Sequence, residues 1–211
     1  MLRVFEKLVH PYPDAAPTPP PSGFGAFMWA ATRGLRPYLL GMMALTALIG
    51  VFEAVLFSMM GRIVDWLAKV QPALLWTEHR GTLWLLMGVL LGSIALVALQ
   101  AALKQQALAG NFPMLLRWKF HRLMLSQSLG FYQDEFAGRV AAKVMQTALA
   151  VRDTWMILCE LLVFVIIYFA TLLAVLGGFN GWMVLPFLGW LVLYVGALCF
   201  FVPRLSAVGK A

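Results

Sequence analysis

Residues 82–103 read TLWLLMGVLLGSIALVALQAAL, 22 residues without a formal charge. At 1.5 Å per residue such a helix is about 33 Å long, enough to cross the roughly 30 Å hydrocarbon layer of a bilayer. Lipid offers no hydrogen bonds, so a helix that satisfies its backbone internally is the natural spanning element. On either side of it lie three further stretches of the same kind. Residues 38–60 hold one charge, Glu53. Residues 154–176 hold one, Glu160. Residues 182–202 hold none, with Pro186 near the start.

The whole composition agrees. Of 211 residues 62% are apolar and 12% charged, against about 25% charged in soluble domains. The net charge of +7 does not indicate a nucleic-acid partner, because the charges sit between apolar runs rather than on one surface. The partner implied by composition is the lipid bilayer. Cys159 and Cys199 lie inside apolar runs, and no C-x-x-C or Cys/His metal spacing occurs. Both read as small apolar fillers. The first ten residues lack an apolar core of signal-peptide length, so the N-terminus is expected to be mature and untranslocated.

Basic residues orient the spans. Thirteen Lys and Arg fall in the N-terminal segment, in the long segment between the second and third spans, and after the fourth span. Three fall in the remaining two loops. The positive-inside rule then places both termini and the long middle segment in the cytoplasm.

Residues 1–22 read as a cytoplasmic amphipathic and Pro-rich tail. Leu2, Phe5, Leu8 and Val9 share one face, with Arg3, Glu6 and Lys7 opposite, so this segment either lies on a membrane surface or frays. Pro11, Pro13, Pro17, Pro19, Pro20 and Pro21 make the rest an extended spacer. Residues 23–36 read as an interfacial elbow helix, with Phe24, Phe27, Met28 and Trp29 suited to the headgroup layer and Arg33 and Arg36 to lipid phosphates.

Residues 104–153 are too regular for a loop. Met114 to Leu129 alternates apolar and basic residues at near-helical spacing, and Gly138 to Asp153 repeats the pattern. The expected arrangement is a cytoplasmic hairpin of two long helical extensions, turning near Gly130 to Gly138.

The text of that turn, LGFYQDEFAGRVAAKVMQTALAVRD at 129–153, resembles the first intracellular loop of ABC exporter transmembrane domains, the multidrug and lipid export type. The matching residues are Arg122, Leu129, Phe131, Tyr132, Gly138, Arg139, Val140, Lys143 and Val144. Arg36-Pro37 before the first span, Gly61-Arg62-Ile63-Val64-Asp65 after it, and Phe201-Val202-Pro203-Arg204-Leu205 at the end of the fourth extend the resemblance from about residue 23 onward. Met145-Gln146-Thr147 stands where the family often has Asp, so a carboxylate contact would be missing or taken by the Thr147 hydroxyl.

The resemblance implies an all-α membrane protein. It would hold the first four helices of a six-helix exporter transmembrane domain over 37–211, in a bacterial inner membrane. It implies that the turn is a coupling helix seated in a nucleotide-binding domain supplied in cis or in trans. Phe131, Tyr132 and Phe136 would fill an apolar pocket there, Gly138 would permit the turn and Arg139 would meet an acidic rim. It implies a second transmembrane subunit, the same or different, with spans exchanged between the two. No G-x-x-x-x-G-K-[ST] occurs, so no cofactor is expected in this chain. ATP and Mg belong to the nucleotide-binding domain, and four spans alone are expected not to transport.

Two intramembrane carboxylates remain. Glu53 adjoins a stripe of small residues, Ala47, Gly50, Ala54 and Ser58, and either meets a polar substrate in a cavity or bonds a neighbouring helix. Glu160 is expected to reach cytoplasmic water. Gly88 and Gly92 form a GxxxG run suited to close helix approach, and Trp66, Trp76, Trp84, Trp155, Trp182 and Trp190 suit interfacial belts. The competing reading is a self-contained four-span structural membrane protein. A haem anchor is disfavoured because His10, His79 and His121 lie outside the spans.

Overall fold

The computed structural model describes residues 3–14, 18–69, 80–134, 136–179 and 181–208. The expectations made for Leu2, Pro17, Trp76, His79 and residues 209–211 fall outside these, as do the side chains of Arg3 and Lys69. Among the described residues the chain is helical, without strands. The helices are α1 (Arg3–Glu6), α2 (Phe24–Ala31), α3 (Arg36–Lys69), α4 (Arg80–Ala102), α5 (Asn111–Leu125), α6 (Leu129–Asp134), α7 (Ala137–Ile157), α8 (Val163–Phe179) and α9 (Leu185–Val208). π-helical turns, Leu103–Leu108 and Leu158–Leu162, lead α4 toward α5 and α7 into α8. A 3₁₀ turn, Gly181–Val184, precedes α9. Four helical runs are long and apolar enough to cross a membrane: Arg36–Leu67, Arg80–Leu125, Ala137–Gly178 and Gly181–Ala207. Each contains one of the stretches read from the sequence.

Two prolines sit in first turns of helices, and two interrupt a helical run, one of them with a substitute donor. Pro37 and Pro186 occupy the first turns of α3 and α9, where proline is best tolerated. Pro113 lies in the first turn of α5, but the helical run continues upstream, so the Ala109 carbonyl four residues back loses its donor. Arg152 of α7 supplies one instead, its Nη1 donating to that carbonyl at 3.2 Å. Pro203 stands inside α9 and withholds a donor from the Cys199 carbonyl four residues back; beside it Arg204 Nη1 donates to the Phe200 carbonyl at 2.9 Å while its guanidinium lies 3.4 Å from the Phe200 ring centroid.

The chain forms two compact units, one up to Val165 and one from Ile166 onward. In the second, Val184 comes near Gly177, and the Trp190 and Tyr194 rings stack at 5.4 Å along α9. The large side chains of α9 are almost all exposed.

The first unit holds the core, and that core lies at one end of the spans rather than along them. Leu35 precedes α3, and Leu39 and Met42 lie in its first two turns. They bury against Leu103, Ala107 and Leu108 of the first π turn, Phe112, Leu115 and Leu116 of α5, and Ala148 and Val151 of α7. Farther along, α4 has no buried residue. Such exposure is what a lipid environment would tolerate, since apolar side chains gain little by leaving acyl chains for one another. Where α3 and α4 do meet, small and polar groups make the contact. Gln100 Nε2 donates to Thr46 Oγ1 at 2.7 Å, and Thr46 Oγ1 donates to the Met42 carbonyl at 2.9 Å. Of the two glycines in the GxxxG run, Gly92 accommodates the Phe52 ring, and a Cβ there would lie 3.2 Å from Phe52 Cε1; Gly88 meets nothing. Gly92→Ala is therefore expected to be less stable than Gly88→Ala by about 1 kcal/mol, the methyl at 88 meeting open space. Unfolding in detergent micelles, followed by tryptophan fluorescence, checks the pair.

The elbow is a compact turn. Thr32 Oγ1 donates to the Trp29 carbonyl at 2.8 Å, Arg36 Nη2 donates to the same carbonyl at 3.2 Å, and the Arg36 guanidinium lies 4.0 Å from the Trp29 ring centroid. Gly34 adopts φ +90, a conformation in which a Cβ would be strained, and so accommodates the bend between α2 and α3. Arg36 is thus engaged within the protein. Trp155 of α7 is tied to the elbow, its Nε1 donating to the Met28 carbonyl of α2 at 3.2 Å.

The N-terminal segment lies on protein as well. Val9 is buried in the core. The Tyr38 hydroxyl donates to the Leu8 carbonyl at 2.5 Å, and Asn111 Nδ2 donates to the Glu6 carbonyl at 3.1 Å. Trp118 Nε1 and Arg122 Nη1 of α5 both donate to the Pro13 carbonyl, at 3.1 and 3.3 Å, and Tyr12 meets the Trp118 ring edge-on at 5.4 Å. Residues 5–13 therefore strap α3 to α5, where the sequence reading had a surface-lying or frayed segment and a spacer.

Candidate functional site

Helices α5, α6 and α7 build a hairpin tip. α5 closes at Ser126, whose backbone N–H and hydroxyl both donate to the Leu123 carbonyl, at 3.3 and 2.7 Å, while Gln127 N–H donates to the Met124 carbonyl at 2.9 Å. Helix α6 follows after a three-residue gap, and α7 starts behind Phe136, an N-cap in extended conformation with no side-chain cap. Backbone N–H groups of Arg139 and Val140 donate to the Phe136 carbonyl at 2.9 and 3.2 Å.

The predicted site residues divide by task. Phe136 is 77% exposed and Leu129 78%, so the tip presents apolar side chains outward. Phe131 is half-buried and meets Tyr132 edge-on at 5.3 Å. The Tyr132 hydroxyl donates to the Met124 carbonyl at 2.6 Å, which ties α6 to the last turn of α5. Tyr132 thus fixes the shape of the tip besides lining it. Gly138 requires a correction. It lies inside α7 and has no positive φ, so the turn does not depend on its backbone freedom. What it supplies is room, since a Cβ there would lie 3.1 Å from Phe136 Cε1. Arg139 is exposed in the first turn of α7. The Thr147 hydroxyl, expected as a stand-in for a family carboxylate, falls in mid α7.

At the other end of the hairpin the two π turns face each other across an ion pair. Lys104 in the first donates to Glu160 in the second, with 2.5 Å between Nζ and Oε2. Glu160 therefore meets a protein cation rather than only water. Asp153, Met156, Ile157, Leu161 and Phe164 join the pair around an open cleft of about 530 Å³. A π turn inserts one residue per helix and often marks a functional position. The sequence held a usable signal: Lys104 and Glu160 are equidistant from Tyr132, so an antiparallel hairpin folded there brings them level. Glu53 is half-buried on α3, apart from both ends of the hairpin. Its neighbour Gly50 is buried and Ser58 exposed, so the small-residue stripe is only partly covered. Among the described residues no cluster of three metal-ligating side chains occurs.

No protein-family model matches the chain. No solved structure matches it. Over 206 residues, 98% of the chain, it is 48% identical to a Haemophilus influenzae (strain ATCC 51907 / DSM 11121 / KW20 / Rd) protein described as an uncharacterized ABC transporter ATP-binding protein. The chain spans about a third, 34%, of that relative's length. The similarity therefore covers both ends of the hairpin and the four apolar helices.

Proposed function

We propose that these residues form the membrane-spanning, permease portion of an ATP-driven ABC exporter and that the 131–138 turn docks on a nucleotide-binding domain. One observation carries the reading. The runs Arg80–Leu125 and Ala137–Gly178 contain 46 and 42 residues, so each is more than 60 Å long at 1.5 Å per residue, about twice the hydrocarbon thickness. They overhang the bilayer together and end in a short helix with outward apolar side chains, the geometry needed to grip a second body and pass its movement to the spans. The likeness to a protein named for ATP binding supports the same reading. On it the chain sits in a bacterial inner membrane with its termini and tip in the cytoplasm. ATP and Mg are held by the nucleotide-binding domain, and a second transmembrane subunit completes the pathway.

The test is a photo-crosslinking residue at Phe136 in native membranes. It is expected to give an adduct that azido-ATP also labels, with the same residue at Phe24 giving none. Phe136→Asp should weaken docking by about 2 kcal/mol, roughly thirtyfold, and depress ATP hydrolysis accordingly. Equal labelling from both positions, or hydrolysis untouched by the substitution, would overturn the assignment.

A further inference from the structure

A cavity of about 540 Å³ opens in the first unit between α2, α5 and the Pro-rich segment. That volume lies within the range of small-ligand sites. Its walls are apolar: Phe27 and Phe120 stack at 6.4 Å, and Leu116 and Pro19 to Pro21 complete them. Its charged groups carry one sign. Arg33, Lys119 and Arg122 line it, and no carboxylate does among the described residues. Arg122 is committed to the Pro13 carbonyl. Lys119 is held by a 3.3 Å bond to the Arg33 carbonyl, which brings its ammonium beside the Arg33 residue. Burial first, and the Arg33 charge second, push the Lys119 pKa below the ordinary lysine value. Two cations side by side over an apolar floor repel each other unless an anion lies between them. The cavity adjoins α2, whose Phe24 and Trp29 are 78% and 57% exposed just before the apolar stretch of α3, side chains suited to a headgroup layer.

We propose that this cavity binds a phosphate group between Arg33 and Lys119, carried either by an anionic phospholipid or by a free phosphate. Arg presents a fork suited to phosphate oxygens and Lys a point charge, and the apolar walls suit the glycerol and first methylenes of a lipid. The site is independent of the hairpin tip and needs no nucleotide-binding domain.

The full chain in nanodiscs of phosphatidylcholine doped with phosphatidylglycerol tests it, with native mass spectrometry counting the lipid retained on release. Wild type is expected to retain phosphatidylglycerol over phosphatidylcholine, and Arg33→Gln with Lys119→Gln to lower that retention about tenfold. Inorganic phosphate, titrated while Trp118 fluorescence is read, forms the second arm. If it binds while phosphatidylglycerol shows no preference, the source is free phosphate; if only the lipid is retained, the source is the bilayer. Absence of both, or binding untouched by the glutamine pair, overturns the proposal. Should the glutamine pair fail to fold, Lys119→Arg, expected to keep the wild-type selectivity, decides the matter against Lys119→Met.

Discussion

Phe112→Ala is expected to cost about 3–5 kcal/mol of stability, the range for emptying a fully buried aromatic site. Phe112 is 0% exposed. It opens α5 just past the first π turn, among Leu108, Leu115 and Leu116 and the start of α3. Removing its ring leaves a cavity where α3, α5 and α7 are joined, in the one large core that the described residues of the first unit form. The same chemical change at Phe136, which is exposed, should move stability by no more than about 0.5 kcal/mol. Unfolding in detergent micelles reads both. Equal effects at the two positions would show that the core is not where the hairpin is held. The contrast also separates folding from docking, because Phe136 is the residue whose loss should impair nucleotide hydrolysis.

The second large effect is expected at the ion pair between the π turns. Lys104→Met leaves the Glu160 carboxylate without its cation at the edge of an apolar span, and Glu160→Leu leaves the ammonium likewise. Breaking a fully buried pair costs roughly 3–5 kcal/mol. Here the side chains are 31% and 39% exposed, so about 2 kcal/mol is expected for each single change. The double variant should be far more stable than the two losses added together, and near wild type, because an apolar pair carries no unmatched charge. A double-mutant cycle measures this. Simple additivity, with a coupling below about 0.5 kcal/mol, would mean that each charge is independently solvated.

The sequence made the spans readable because lipid imposes one rule on every residue of a helix, and 22 uncharged residues in a row have few other uses. The hairpin was readable for a related reason, since helical spacing persisted through 104–153 where a loop would have lost it. The details that fix the hairpin were not readable, because they depend on partners far apart in the chain. Arg152 meets Ala109 only when α5 and α7 take their actual register, and Pro13 becomes an acceptor only when Trp118 and Arg122 face it. Gly138 was given the wrong reason, since a glycine near a bend suggests backbone freedom, whereas here it leaves space for the neighbouring Phe136 ring. The π turns left no mark in composition beyond Gly110 and Pro113 downstream of the first.

The strap formed by residues 5–13 has a practical bearing. Proline-rich beginnings are routinely trimmed to aid expression. In this protein such trimming would strip Val9 from the interior, leave the Tyr38 hydroxyl and the Asn111 amide without their acceptors, and free two donors on α5. A shortened protein that aggregates would then report an opened seam between two helices, not a defect in membrane insertion.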